Sequence, residues 1–177
     1  MIAFIFDTET TGLVKNSLMP LEGQPRIIEF FGHLVDDLGC LHDEIEFFCH
    51  PGVALDPIIT RITGITDEQL KGAERFDVYA DRVKEMIASA DAVVAHNLSF
   101  DMALVEADCA RCACAPAWPE RKICTVEETE WMRGHRLSLT ALHEELFGEG
   151  FPAAHRARND VAALTRCYLE LRKRGDL

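Results

Sequence analysis

The sequence contains no long apolar run, no low-complexity tract and no linker-like stretch rich in proline, glycine and serine. A membrane-spanning helix needs about 20 consecutive apolar residues, and no segment approaches that length. The N-terminus also lacks the basic and apolar segments that mark a secretory signal. We therefore expect a single folded domain over residues 1–177, in a cytoplasmic protein with no membrane contact.

Basic residues are scarce. The chain has 18 Lys and Arg against 30 Asp and Glu, which gives a formal net charge of −12. A protein that binds long nucleic acids through its backbone usually presents a basic face. This charge argues against strong non-specific binding to long duplexes. It does not exclude an enzyme that holds a few nucleotides, because bound metal ions would add positive charge locally.

The cysteines do not indicate a disulfide framework. There are seven of them, an odd number, and no export signal accompanies them. Cys109, Cys112 and Cys114 are closely spaced, but a zinc site needs a fourth ligand at a suitable spacing. We interpret these residues as ordinary thiols on and after a helix.

The apolar pattern predicts strands first and then strands alternating with helices, an order typical of a mixed α/β sheet covered by helices. The predicted strands are Ile2–Phe6, Arg26–Asp36, Leu41–Cys49, Ala92–Ala95 and Lys122–Cys124. The predicted helices are Phe76–Ser89, Leu98–Ala110, Val126–Met132, Leu137–Phe147 and Asn159–Lys173. Loops are expected at Asn16–Gln24 and Cys112–Glu120, and helix N-caps at Thr66, at Asn97 or Ser99, and at Ser138.

Two carboxylates follow the first predicted strand. Asp7 and Glu9 are two residues apart, so an extended chain places both side chains on one face. Two carboxylates at such a short separation repel each other unless cations lie between them. Mg²⁺ prefers oxygen ligands, and two such ions about 3.5–4 Å apart can hydrolyse a phosphodiester. An isolated pair of this kind would still be interpreted as a solvated turn.

Two further carboxylates begin helices that have apolar faces. Asp101 shares a face with Leu104, and Asp160 leads a stripe that continues through Leu164. An unpartnered charge on a buried face is costly, which favours a ligand role for both. His155 lies five residues before Asp160, so we expect it on the preceding loop. A mobile histidine beside a metal site suits a general base.

The order of these groups along the chain resembles a known family. FIFDTETTGL, AHNLSFDMALV and HRARNDVAAL, which begin at Phe4, Ala95 and His155, resemble the three motifs of the DnaQ-like, or DEDDh, 3′→5′ exonucleases. Residues 63–66 and 137–142 resemble stretches that the family carries between its motifs. The resemblance implies a ribonuclease H-like fold, with a mixed five-stranded α/β sheet flanked by helices.

The resemblance assigns roles residue by residue. The metal-ligand positions fall on Asp7, Glu9, Asp101 and Asp160. His155 matches the general base of the histidine subclass. The expected neighbours of the terminal nucleotide are Thr8, Thr10, Thr11, Leu13, Ile65, His96 and Phe100. Many relatives carry an acid where Asn159 stands, but Asp160 is the matched ligand and no loss of catalysis is expected.

The implied reaction is hydrolysis of the terminal phosphodiester by a two-metal mechanism, with release of nucleoside 5′-monophosphates. Two Mg²⁺ ions are expected, with Mn²⁺ as a substitute, and His155 would accept the proton of the attacking water. The expected partner is the 3′ end of a single-stranded nucleic acid. DNA is favoured over RNA, because the first motif is most similar to the proofreading exonucleases of bacterial replicative DNA polymerases. The available phosphate contacts are Arg61, Arg133, Arg136, Arg156 and Arg158.

Several alternatives stay open. An exoribonuclease that trims RNA ends would use the same site, and the sequence does not show how the sugar is recognised. A haloacid-dehalogenase-like phosphatase needs a second aspartate where Glu9 stands, and it does not explain His155. A non-catalytic subunit of the same fold would usually have lost a carboxylate or the histidine. A polymerase or repair partner and a homo-oligomer are also left open.

Overall fold

The computed structural model describes residues 1–15, 19–152 and 155–177. The strands are β1 (Ile2–Thr10), β2 (Ile27–Asp36), β3 (Leu41–Phe48), β4 (Ala92–Ala95) and β5 (Arg121–Cys124). They form one sheet in the order β3-β2-β1-β4-β5. β1, β2 and β3 pair antiparallel, whereas β4 is parallel to both β1 and β5. The predicted mixed five-stranded sheet is confirmed.

Helices cover both faces of this sheet. They are α1 (Pro57–Thr63), α2 (Asp67–Leu70), α3 (Ala80–Ala88), α4 (Leu98–Arg111), α5 (Thr125–Glu128), α6 (Leu139–Phe147) and α7 (Ala157–Arg174). On one face, Phe4 and Phe6 of β1 pack in the same core as α3 and α4. On the other face, Ala3 and Ile5 pack with α7. Both faces of β1 are therefore buried, which explains its continuous apolar run. None of the described helices is long and apolar enough to cross a bilayer.

The first strand is longer than predicted. β1 continues through Asp7 and Glu9 to Thr10, so the two carboxylates lie inside the strand rather than beyond its end. The extension has no apolar residue that the sequence pattern could detect. It is held by the ladder to β2, in which Glu9 lies opposite Glu29 and a bulge follows before Thr10 pairs with Ile27.

Two predicted helices are shorter than expected because 3₁₀ turns replace part of them. Phe76–Val78 is a 3₁₀ turn that precedes α3. The segment predicted as a helix over Val126–Met132 consists of α5 and a second 3₁₀ turn, Glu130–Met132. Between these two, Thr129 donates its hydroxyl to the carbonyl of Thr125 at 2.6 Å. Such a bond competes with the helical ladder and accounts for the break.

The helix caps were predicted with mixed success. Ser138 accepts a hydrogen bond from the backbone N–H of Ala141, as expected. Thr66 forms a capping box with Gln69 at the start of α2. Asn97 precedes α4 in the left-handed region (φ 80°) and makes no side-chain cap. Asn97 therefore occupies the predicted N-cap position without the expected side-chain hydrogen bond, and Ser99 lies within the helix.

Other local differences are small. α1 was not predicted, because it is only 7 residues long and begins at a proline capped by Asp56. Part of the predicted loop Asn16–Gln24 lies outside the described residues, and the described part includes the 3₁₀ turn Leu21–Gly23. All seven cysteines are free thiols. Those of Cys112 and Cys114 donate to the backbone carbonyls of Asp108 and Cys109.

A glycine in β2 allows the aromatic residues of β1 to pack. A Cβ added to Gly32 would lie 2.7 Å from two ring atoms of the fully buried Phe4. We expect Gly32→Ala to lower the free energy of unfolding by about 1–3 kcal/mol, because this ring has no room to move. Urea denaturation measures the change. Gly72→Ala is the matched control, since no atom lies within 4 Å of its added Cβ. Equal stabilities of the two variants would contradict this account of the core.

Candidate active site

Three carboxylates from two elements meet at one end of the sheet. Asp7 and Glu9 have the same orientation on β1 as Ala3 and Ile5, and therefore face α7. Asp160 lies in the first turn of α7. One carboxylate oxygen from each of Asp7, Glu9 and Asp160 lies within 4.8 Å of the others. Oxygen donors at this spacing match the ligands that a divalent cation such as Mg²⁺ prefers.

Asp101 lies beside this group but is not a member of it. It lies in the first turn of α4 and is 2% exposed. Its Oδ1 accepts hydrogen bonds from the backbone N–H of Thr8 at 3.2 Å and from the Thr8 hydroxyl at 2.7 Å. After burial, the charge of Asp101 is the largest influence that raises the pKa of Asp7. The two carboxylates are thus close enough to interact strongly.

The electrostatics of the four acids are those of a cation site. Burial, followed by the charges of neighbouring carboxylates, raises the pKa of Asp7 well above its usual value. The same causes raise the pKa of Glu9 to about 8. Burial raises the pKa of Asp101 to about 7 and that of Asp160 to about 6. Without a cation, these groups cannot all be ionised near neutral pH at low cost.

His155 lies on the loop before α7, as the sequence predicted. Its backbone is in the left-handed region (φ 68°), and its N–H donates to Oδ2 of Asp160 at 2.9 Å. The residue is exposed. It lines a cleft of about 260 Å³ together with Asp7, His96 and Asp160. The imidazole therefore shares an open space with two of the clustered carboxylates.

Glu29 is a fifth acid that sequence reasoning missed. It lies opposite Glu9 on β2 and is 1% exposed. Both its oxygens accept hydrogen bonds from the Arg156 guanidinium at 2.8–3.1 Å, and one also accepts from the backbone N–H of Ala157 at 3.2 Å. The only sequence signal was an acid within the otherwise apolar IIEFF, residues 27–31. Glu29 anchors the start of α7, and therefore the position of Asp160.

The arginines predicted as phosphate contacts are mostly paired with acids. Arg156 binds Glu29, and Arg158 bridges Glu44 and Glu46. Arg133 and Arg136 pair with Glu145 and Glu127. Among these predicted contacts, Arg61 has no ion pair to a described residue. The sequence showed these charges but not their acidic neighbours, and those of Arg156 and Arg158 come from distant strands.

A second, more apolar cleft adjoins the carboxylates. It measures about 470 Å³ and runs between the end of β1, helix α1 and Phe100. Thr8, Thr10, Thr11 and Leu13 line it, so five of the predicted nucleotide neighbours lie together. Leu13 is 80% exposed and Ile62 of α1 is 49% exposed.

Two predicted neighbours lie elsewhere. Ile65 is fully buried, packs with Ile28 and Leu70, and does not reach the cleft. His96 lines the His155 cleft instead, where its ring bonds Thr125 and the carbonyl of Leu137 at 2.9 and 3.1 Å. Burial lowers the pKa of His96 to about 4, so the ring is neutral. The expectation of direct contact is corrected for Ile65, because no part of its side chain is accessible.

Comparison with known proteins identifies the family. The model of the exonuclease family RNase_T matches residues 4–168. The chain belongs to this exonuclease family. This membership confirms the predicted DnaQ-like 3′→5′ exonuclease, and it excludes the phosphatase alternative.

The curated relatives of this exonuclease are much longer proteins. It is 30% identical over 172 residues to the PolC-type DNA polymerase III of Staphylococcus epidermidis. The aligned region covers 94% of this chain and 11% of that protein. It is 39% identical over 101 residues to the PolC-type enzyme of Listeria welshimeri. This aligned region covers 57% of this chain and 6% of that protein. The exonuclease thus spans only a small part of the relatives it matches.

Solved structures share its fold. The nuclease domain of 3′hExo, described as a DEDDh family member bound to rAMP, superposes with a TM-score of 0.78 at 17% identity, covering 98% of this chain and 92% of that one. Exonuclease I of E. coli in complex with a dT13 oligonucleotide gives a TM-score of 0.78 at 18% identity, covering 98% and 41%. The ribonuclease H-like fold is therefore confirmed.

The raised carboxyl pKa values predict how stability depends on pH. The folded, metal-free exonuclease binds protons at Glu9, Asp101 and Asp160 more tightly than the unfolded chain does. The contribution of these three groups to the free energy of unfolding is therefore fully present at acidic pH and is lost as pH rises through about 6 to about 8. We expect a loss of about 4 kcal/mol over this range, measured by urea denaturation in EDTA.

Glu9→Gln should make this decline shallower, and Mn²⁺ should reverse it in the unaltered chain. Glu120→Gln, which changes an exposed glutamate, is the control. A metal-free protein whose stability rises between pH 6 and pH 8 would contradict the raised pKa values.

The Glu29–Arg156 pair predicts an asymmetry between its two partners. Arg156→Gln leaves the buried Glu29 carboxylate without its partner, whereas Glu29→Gln leaves an arginine that is 41% exposed and can be hydrated. We expect the first variant to lose about 2 kcal/mol of stability and the second clearly less. Thermal unfolding at neutral pH compares them. Equal losses would argue against the burial of Glu29 as the cause.

Proposed function

We propose that this exonuclease removes nucleotides one at a time from the 3′ end of single-stranded DNA. In this proposal Asp7, Glu9, Asp101 and Asp160 hold the metal ions and His155 is the general base. The observation that carries the proposal is the meeting of three carboxylates within 4.8 Å, two of which, Asp7 and Asp160, line the same cleft as His155. We further propose that residues 1–177 act as one exonuclease domain.

The donor set fits divalent cations. The three clustered side chains all offer carboxylate oxygens, which suits Mg²⁺ with Mn²⁺ as a substitute. Two such ions would supply a reactive water and neutralise charge on the scissile phosphate. Asp7, Glu9 and Asp160 would contact them directly. The Thr8 hydrogen bonds engage only Oδ1 of Asp101, so its Oδ2 would be available as a further ligand.

His155 would accept the proton of the attacking water. Its backbone is fixed by Asp160, while its ring is exposed and makes no hydrogen bond within the described part of the chain. A histidine so placed can reach the cleft and then release its proton to solvent. The neutral ring of His96, held by two hydrogen bonds, would shape the wall of the same cleft.

The apolar cleft suits an unpaired terminal nucleotide. Leu13, Ile62 and Phe100 offer surface against which an unstacked base can pack. The acidic chain has little to attract a long duplex. DNA is favoured because the curated relatives are DNA polymerases, which also makes a polymerase or repair partner part of this proposal. A homo-oligomer is compatible with it.

An exoribonuclease is the second candidate. It is favoured by the fold shared with 3′hExo, which was solved with rAMP. A non-catalytic subunit is disfavoured, because each catalytic position of the family motifs keeps its side chain in this sequence.

One assay panel separates these candidates. Single-stranded DNA, duplex DNA and RNA, each labelled at the 5′ end, are incubated with the full chain and Mg²⁺ or Mn²⁺. We expect stepwise shortening from the 3′ end, fastest for single-stranded DNA. Asp7→Ala should abolish the activity and still fold. Faster shortening of RNA would favour the second candidate, and full activity of Asp7→Ala would overturn the assignment of the site.

The role of His155 predicts a separate kinetic effect. His155→Ala should lower kcat by roughly 10²–10⁴-fold, because the proton acceptor is lost. Calorimetric titration with Mn²⁺ should show metal binding largely kept. The pH–rate profile is the decisive control: if its acidic limb, where the base would be protonated, is unchanged in the variant, His155 is not the general base.

A further inference from the structure

A small pocket on the other side of the sheet gathers positive charge. It is lined by Arg26 at the start of β2, by Arg75 and by Arg111 at the end of α4, and its volume is about 80 Å³. Ile27, Cys49 and Phe76 form its apolar wall and belong to the core that contains Phe4 and Phe6. Asp7 and Glu9 face the opposite side of β1, toward α7. The arginine pocket is therefore separate from the carboxylate cluster.

Hydrogen-bond donors in this pocket lack partners. The Nη atoms of Arg111 bond Asp108 and the carbonyls of Leu21, Gln24 and Pro25, but its buried Nε has no partner. The side chains of Arg26 and Arg75 form no hydrogen bond or ion pair within the described chain. His50, which also lines the pocket, accepts the Gly52 N–H on Nδ1 at 3.0 Å. Because Nδ1 is the acceptor, Nε2 carries a proton and is a further donor.

The acids in the pocket neutralise only part of this charge. Both oxygens of Asp108 are already bonded, Oδ1 to Arg111 at 2.6 Å and Oδ2 to the N–H of Ile27 at 2.9 Å. Asp77 is exposed and is the other lining acid. Three guanidinium groups thus face two carboxylates. Burial, followed by the charge of Arg111, lowers the pKa of Arg26, although the charges of Asp108 and Glu22 act in the opposite direction.

We propose that the arginine pocket binds a phosphate group, carried by inorganic phosphate or by the end of a nucleotide. An arginine fork and a phosphate oxygen form strong, charge-assisted hydrogen bonds. A dianion would offset the repulsion among the three guanidinium groups. The small volume admits a phosphate group but not a whole nucleoside. A nucleotide would extend into the adjoining cleft of about 370 Å³, which shares His50 and Pro51 with the pocket.

Calorimetric titration of the full chain in EDTA tests this proposal. Without metal, the carboxylate cluster repels phosphate, so binding there does not contribute. The probes are inorganic phosphate, thymidine 5′-monophosphate and thymidine. We expect one phosphate per chain, with affinity lowered roughly 10–100-fold in Arg26→Gln or Arg75→Gln. These side chains have no structural partner, so both variants should keep the unfolding temperature of the original chain.

The control removes the same charge at the opposite edge of the sheet. Arg121→Gln lies on β5 and should bind phosphate as the original chain does. Tighter binding of thymidine 5′-monophosphate than of phosphate would identify a nucleotide as the ligand, and equal binding would identify inorganic phosphate. Absence of saturable binding, binding of thymidine as tight as that of its monophosphate, or equal weakening by Arg121→Gln would overturn the proposal. None of these outcomes depends on nuclease activity.

Discussion

Five carboxylates lie at one end of the sheet, and the structure around them must offset their mutual repulsion. Asp7 and Glu9 lie on β1, Glu29 on β2, Asp101 on α4 and Asp160 on α7. Burying so many acids near one another is costly, because each prefers to be hydrated or paired. The surrounding polar contacts divide the acids into those that the protein neutralises itself and those that it leaves for a cation.

Glu29 and Asp101 receive internal partners. Arg156 and the N–H of Ala157 satisfy Glu29 and fix the start of α7. Two bonds from Thr8 satisfy one oxygen of Asp101 and join α4 to β1. Asp7 and Glu9 receive no comparable donor within the described chain, and their pKa values are raised. The outer acids, Glu29 and Asp101, are thus held by hydrogen bonds, whereas Asp7 and Glu9 form no ion pair with any described residue. Divalent ions would act beside these two.

Much of this arrangement follows from spacing in the sequence. The two-residue interval between Asp7 and Glu9, and the position of Asp160 ahead of an apolar helical face, were enough to bring three acids together. The sequence could not show which way Ile65 points, because a family motif locates a segment and not the direction of each side chain. Glu29 was missed because its partner, Arg156, lies far away in the chain. The end of β1 was predicted too early, because its last four residues are polar. Backbone pairing with β2 keeps them in the strand, and an apolar pattern does not show such pairing.

The most direct test of the central claim is a crystal of the full chain grown with Mn²⁺ and thymidine 5′-monophosphate, measured at a wavelength where manganese scatters anomalously. The account predicts anomalous density among the carboxylates of Asp7, Glu9 and Asp160, with the phosphate of the nucleotide beside it. A well-ordered crystal with no anomalous density at this cluster would contradict the account.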